Sequence, residues 1–190
     1  MKINSMQISA NRIHYLTDYI DERYLFDESE LKKDIRENTV FYNYKKQGEE
    51  LPVIMENNPD INWVPIRNMT QEQIIEQFRK GKIYVDFGTH PGKDRLPREA
   101  ASCGLCILTN REGAAQNDTD VPIANEYKFE RPLEQSESII NKIRDIFDNY
   151  SDASDQFYQY REWIRSEKRR FSEEVKTVSD ILAGDKETIS

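Results

Sequence analysis

The chain has 190 residues, 27 Lys and Arg against 35 Asp and Glu, a net charge of −8 and a pI near 5.0. That length suits one domain with a real core and leaves no room for a second full one. The acidic balance argues against DNA or RNA as a partner, because neutralising phosphates takes a basic surface.

No run approaches the roughly 20 apolar residues that span a bilayer, and Met1-Lys2-Ile3-Asn4-Ser5 carries no apolar signal-peptide core. A cytoplasmic location is therefore expected, without a transmembrane segment, though peripheral membrane association stays open. Cys103 and Cys106 form a lone C-x-x-C that falls between a helix end and a strand. A redox pair instead opens a helix, where the dipole lowers a thiol pKa, so two buried structural thiols are expected. With no second cysteine pair and two histidines, a zinc site is not expected.

Residues 1–36 mix aromatics with charges and read as an entry segment packing on the domain. Thr39-Val40-Phe41-Tyr42-Asn43 is β-branched and aromatic, which predicts the first strand. A helix with Leu51, Ile54 and Met55 on one face follows, over 49–57. Ile61 to Ile66 predicts a second strand. Thr70 and Gln73 have capping-box spacing and open a helix through Lys80, with Gly81 as its stop.

Lys82 to Asp86 and Leu105 to Thr109 predict two buried strands on either side of Phe87-Gly88-Thr89-His90-Pro91-Gly92-Lys93-Asp94-Arg95-Leu96-Pro97-Arg98-Glu99. The space between them admits one short helix. Short irregular or edge strands are expected at 120–123 and 127–129, since Pro122 cannot donate to a ladder. Ile139, Ile140, Ile143, Ile146 and Phe147 predict a helix over 134–150. A last helix is expected over 152–182, with Phe157, Tyr160, Trp163, Ile164, Phe171, Val175 and Val178 inward.

Strands alternating with helices predict an α/β fold: a Rossmann-like, doubly wound parallel sheet over 37–150, with closing helix and tail over 151–190. Right-handed crossovers then bring the loops at 43–48, 88–93 and 110–115 to one rim, the carboxyl edge of the sheet, where open α/β folds bind ligands. Lys45, Lys46, Lys93 and Arg95 would converge there with the amides of Gly88, Gly92, Gly113 and Ala114. Cations beside a helix start and bare N–H groups suit a diphosphate. His90 is the candidate catalytic or sugar-contacting side chain, and Asp86 is expected to brace its loop.

The pattern D-F-G-x-H-P-G-K-D-R-x-P-R-E-A-A followed by C-G, with a first strand ending Y-N-x-K-K and a later G-A-A, resembles bacterial glycosyltransferases of the GT-B fold. The likeness is to their C-terminal nucleotide-sugar-binding domain and covers about residues 15–129. It implies a nucleoside diphosphate sugar as ligand, Lys45 and Lys46 against its diphosphate, and Glu99 against its ribose. It also implies no metal and no other cofactor. Pro91 stands where that family has the first glutamate of its E-x-seven-E element, Tyr44 replaces a proline, and Gln47 is inserted before Gly48.

Such enzymes react in a cleft between two Rossmann-like domains. An N-terminal domain or a partner subunit is accordingly expected to complete the site. The competing expectation is a noncatalytic module, derived from such an enzyme, that binds a nucleotide or a protein.

Overall fold

The structure, a computed structural model, describes residue 14 and residues 16–187. The contacts divide the chain into two compact units, one of residues 20–164 and one of 1–19 with 165–190.

The larger unit is built on five parallel strands in the order β2-β1-β3-β4-β5. They are β1 (Thr39–Asn43), β2 (Asn62–Ile66), β3 (Ile83–Asp86), β4 (Cys106–Asn110) and β5 (Lys128–Phe129). Register runs Val40 beside Trp63 and Ile83, Ile83 beside Cys106, and Thr109 beside Lys128. The three middle strands are buried on both faces and carry near-continuous apolar runs, as central parallel strands must. β2 is an edge strand, which is why it tolerates Pro65, a residue with no N–H to give a ladder.

The helices of this unit are α1 (Glu28–Leu31), α2 (Glu50–Glu56), α3 (Gln71–Phe78), α4 (Arg95–Ser102), α5 (Ser136–Asp148), α6 (Tyr150–Asp155) and α7 (Tyr158–Arg165), whose last residue belongs to the other unit. The predicted capping box opens α3: Thr70 Oγ1 accepts from the Gln73 amide and the Gln73 side chain accepts from the Thr70 amide. Its Phe78 packs edge-on between Phe41 and Tyr84, at 5.7 and 5.9 Å, and so fixes α3 on that face of β1 and β3. Right-handed crossovers in this strand order put α2 on the opposite face from α3 and α4, which makes the sheet doubly wound.

Three expectations are corrected. α3 ends at Phe78 without a left-handed glycine; a side chain at Gly81 would strike the Phe41 ring, and that contact explains the glycine. Residues 120–123 form no strand, and only Lys128–Phe129 extends the sheet there. The single closing helix is instead three, α6, α7 and α8 (Glu167–Glu187). The first break follows from the Ser154 carbonyl, which accepts from the Phe157 amide and from Arg161 Nη1, while Phe157 tucks against Tyr127 at 4.7 Å.

In the smaller unit the Thr17 amide donates to Glu174 of α8 at 2.6 Å, and Tyr19 meets Phe171 at 5.3 Å. Phe171 and Val178 are half-buried and Val175 is exposed, so the expected inward face of that helix is only partly covered. Among the described residues no helix is long and apolar enough to cross a membrane.

Candidate functional site

The chain leaves β1 toward β2 on one side and leaves β3 toward β4 on the other, so a crevice opens at the carboxyl ends of β1 and β3. A cleft of about 370 Å³ lies there, lined by Asn43 and Lys46 after β1, Asp86 at the end of β3, and Lys93, Asp94, Arg95, Leu96 and Glu99 at the start of α4.

Backbone packing brings the loops together. A side chain on Gly88 would strike the Lys46 carbonyl, and one on Gly113 would strike the His90 carbonyl. Gly113 also needs its positive φ of 53°. The Ala114 amide donates to the His90 carbonyl at 2.9 Å, and Asn110 donates from its side chain to the Gly88 carbonyl at 2.9 Å. The three loops following β1, β3 and β4 are therefore in contact with one another.

Four of the nine ligand-binding candidates line the cleft itself: Lys46, Lys93, Arg95 and Glu99. Lys46 Nζ donates to Asp94 Oδ1 at 2.7 Å. Lys93 Nζ lies 4.7 Å from the ring centre of Trp163 in α7. Arg95 is two-thirds exposed, with its Nε 3.9 Å from Glu99 Oε1. Glu99 is buried, and burial raises its carboxyl above the ordinary glutamate range against the pull of Arg95 and Arg98. Lys45 is exposed outside this lining, its amide donating to the Asn43 side chain. Gly88, Gly113 and Ala114 serve as backbone contacts between loops, and Gly92 is exposed with open space around it.

Two side chains, one from the loop and one from α4, are buried. Arg98 is fully buried and donates to the carbonyls of Lys93 and Asp94, which ties the loop to the first turn of α4. His90 is 4% exposed and does not line the cleft. Its Nδ1 is 3.3 Å from Asp94 Oδ2, and its Nε2 is 3.3 Å from Thr109 Oγ1 and 3.9 Å from Asp86 Oδ1. Asp86 and Thr109 are register partners on neighbouring strands, so the sheet itself sets this spacing. Asp86 Oδ1 also accepts from the Gly88 amide, and burial pushes its carboxyl up to about 6 while His90 pulls it down.

Asp86, His90 and Asp94 form a group, among the described residues, whose ligating atoms lie within 4.8 Å of one another, a spacing that could accept a cation. Lys46 already sits on Asp94, and Lys93 and Arg95 share the cleft above, so positive charge is in place there without one. Sequence reading missed this convergence, as it missed Asn43, Asp94 and Asn110. The one signal available was polar residues four apart at 86, 90 and 94, a spacing that says little outside a helix.

The thiols of Cys103 and Cys106 are free and buried, and burial pushes both up, Cys106 to about 12. Such thiols are inert at neutral pH.

What the site offers is a cleft with three cations, a recessed carboxyl and the first free amides of α4, those of Arg95 and Leu96 before Pro97 interrupts the series. Comparison with protein-family models and with curated proteins returns no match to this chain.

Proposed function

We propose that the chain binds a nucleoside diphosphate sugar in this cleft and is the donor-binding half of a glycosyltransferase, acting in surface polysaccharide or glycan synthesis. The observation that carries the reading is the placement of Lys46, Lys93 and Arg95 around one cleft at the switch point of the sheet. The resemblance of residues 86–104 to the GT-B donor domain supplies the ligand class.

In this reading the diphosphate lies against the start of α4 and meets Lys46 where Asp94 holds it. Lys93 and Arg95 approach the same group, so charge developing on the leaving diphosphate meets fixed cations and amides already in position. Glu99, at the back of the cleft, accepts from the ribose hydroxyls; two carboxylate oxygens match two vicinal donors. An N-terminal domain or partner subunit brings the acceptor, and the donor half works in the cytoplasm.

A noncatalytic nucleotide-binding or protein-interaction module is the second reading, and two observations favour it. Pro91 is exposed at the position of the family's first glutamate, and His90, the candidate catalytic side chain, is buried and does not line the cleft. Calorimetric titration with UDP, GDP and their sugars tests the proposal. It expects heat from at least one nucleotide and a loss of about tenfold or more in affinity for Lys93→Ala, the scale of a charge-assisted contact. No heat at millimolar ligand would leave the interaction module.

A further inference from the structure

The polar group beneath the cleft contains an incomplete hydrogen-bond set. Among the described residues Asp94 Oδ2 is buried and makes no well-aligned hydrogen bond, the His90 Nδ1 contact included, whereas Asp94 Oδ1 holds Lys46 at 2.7 Å. An unsatisfied carboxylate oxygen in such a place is destabilising unless a donor is supplied. The nearby ring nitrogen is His90 Nδ1, at 3.3 Å.

The far side of the ring is equally constrained. Nε2 faces the Thr109 hydroxyl at 3.3 Å, and a hydroxyl can either give or take a proton. Asp86 Oδ1, 3.9 Å from Nε2, already accepts from the Gly88 amide. The assignment that satisfies most groups places the proton on Nδ1, facing Asp94, and lets Thr109 donate to Nε2. His90 is also fixed through its backbone, since its carbonyl accepts from Ala114. The imidazole thus joins the loops after β3 and β4 to the carboxylate that holds the lysine after β1.

We infer that His90 is a positioning residue: its Nδ1–H holds the Asp94 carboxylate, and Asp94 in turn holds Lys46 over the cleft. Its role passes through Asp94, and it touches no ligand. The binding half of this inference rests on the reading of the cleft as a diphosphate site; the proton assignment does not.

The chain has two histidines, and His14 is exposed, so it serves as an internal reference. Long-range proton–nitrogen spectra of the labelled full chain at one neutral pH should show His90 protonated at Nδ1, with a pattern distinct from that of His14. Asp94→Ala should abolish that pattern for His90 and leave His14 unchanged. In parallel, inorganic pyrophosphate binding should weaken by about tenfold in His90→Ala. His90→Asn, whose amide nitrogen can stand in for Nδ1, should recover most of the loss; His90→Gln, which reaches toward Nε2, should not.

A His90 pattern that matches His14, or one indifferent to Asp94→Ala, overturns the inference. So does equal pyrophosphate affinity in all three His90 variants when the wild type binds. Selective broadening of His90 by micromolar Mn²⁺ also overturns it, because the group is then a cation site. If the wild type ignores pyrophosphate, the diphosphate reading fails, and the spectra alone decide the proton assignment.

Discussion

The ammonium of Lys93 lies 4.7 Å from the ring centre of Trp163, across from the cleft it lines. Tyr160 stacks on the same indole at 6.1 Å, so the platform is itself supported. A cation over an indole contributes on the order of 1 kcal/mol when partly desolvated. Trp163→Ala should therefore weaken UDP or GDP binding by about fivefold while Trp163→Phe loses less, as read by calorimetry. Equal affinity in both variants would show that Lys93 needs no platform.

Gly88 and Gly92 sit four residues apart in one loop and should respond oppositely to alanine. A side chain at Gly88 meets the Lys46 carbonyl, whereas one at Gly92 meets nothing within 4 Å. Gly88→Ala should cost about 1–3 kcal/mol, the usual scale of overpacking. For a chain of this size that lowers the melting temperature by roughly 3–10 °C. Gly92→Ala should stay within about 0.5 kcal/mol of wild type.

Burial raises the Glu99 carboxyl above its ordinary 4.5. The folded protein therefore binds this proton more tightly than the unfolded chain. Its contribution to stability is fully present below pH 4.5 and is lost as pH rises through the raised folded value. Denaturant titrations across pH 4–8 should show Glu99→Gln gaining on wild type as pH rises. A constant difference between the two would contradict the direction of the shift.

Arg161 is buried and forked onto Glu28, with Nε and Nη2 donating at 2.7 and 2.8 Å to its two oxygens. Removing the acid strands a buried guanidinium, whose remaining acceptor includes the Ser154 carbonyl. Glu28 is about one-quarter exposed, so water softens the loss. Glu28→Ala should cost about 2–3 kcal/mol, toward the low end for a broken buried pair, measured by chemical denaturation.

The strands and short helices of the larger unit were legible because local preference and burial agree there. Val40, Phe41, Ile83, Val85 and Ile107 are strand formers in runs bounded by glycine, lysine or asparagine, and all are core residues. The Thr70–Gln73 cap is written in adjacent residues and needs nothing distant. The closing helices were misread because the apolar period of Phe157, Tyr160 and Ile164 runs on across the first break. That break is fixed by Tyr127, which packs on Phe157 from outside any local window.

At the site, the cations and glycines were visible in the sequence, and their convergence followed from the parallel topology. Which side chains face the cleft did not follow. Lys45 and Lys46 are neighbours with opposite fates, since only Lys46 finds Asp94. His90 carries the chemistry expected of a ligand contact, yet it is buried among partners set by the sheet register, and Arg98 is buried on the carbonyls of Lys93 and Asp94 just before α4.

The account depends on a diphosphate being received where β1 and β3 diverge. Amide chemical-shift mapping of the full chain, titrated with GDP or UDP, tests this most directly. Shifts should concentrate in residues 43–48 and 86–99 and shrink in a Lys46→Met, Lys93→Met double variant. Saturating nucleotide that leaves these residues unmoved, or moves a different face of the sheet, would contradict the account.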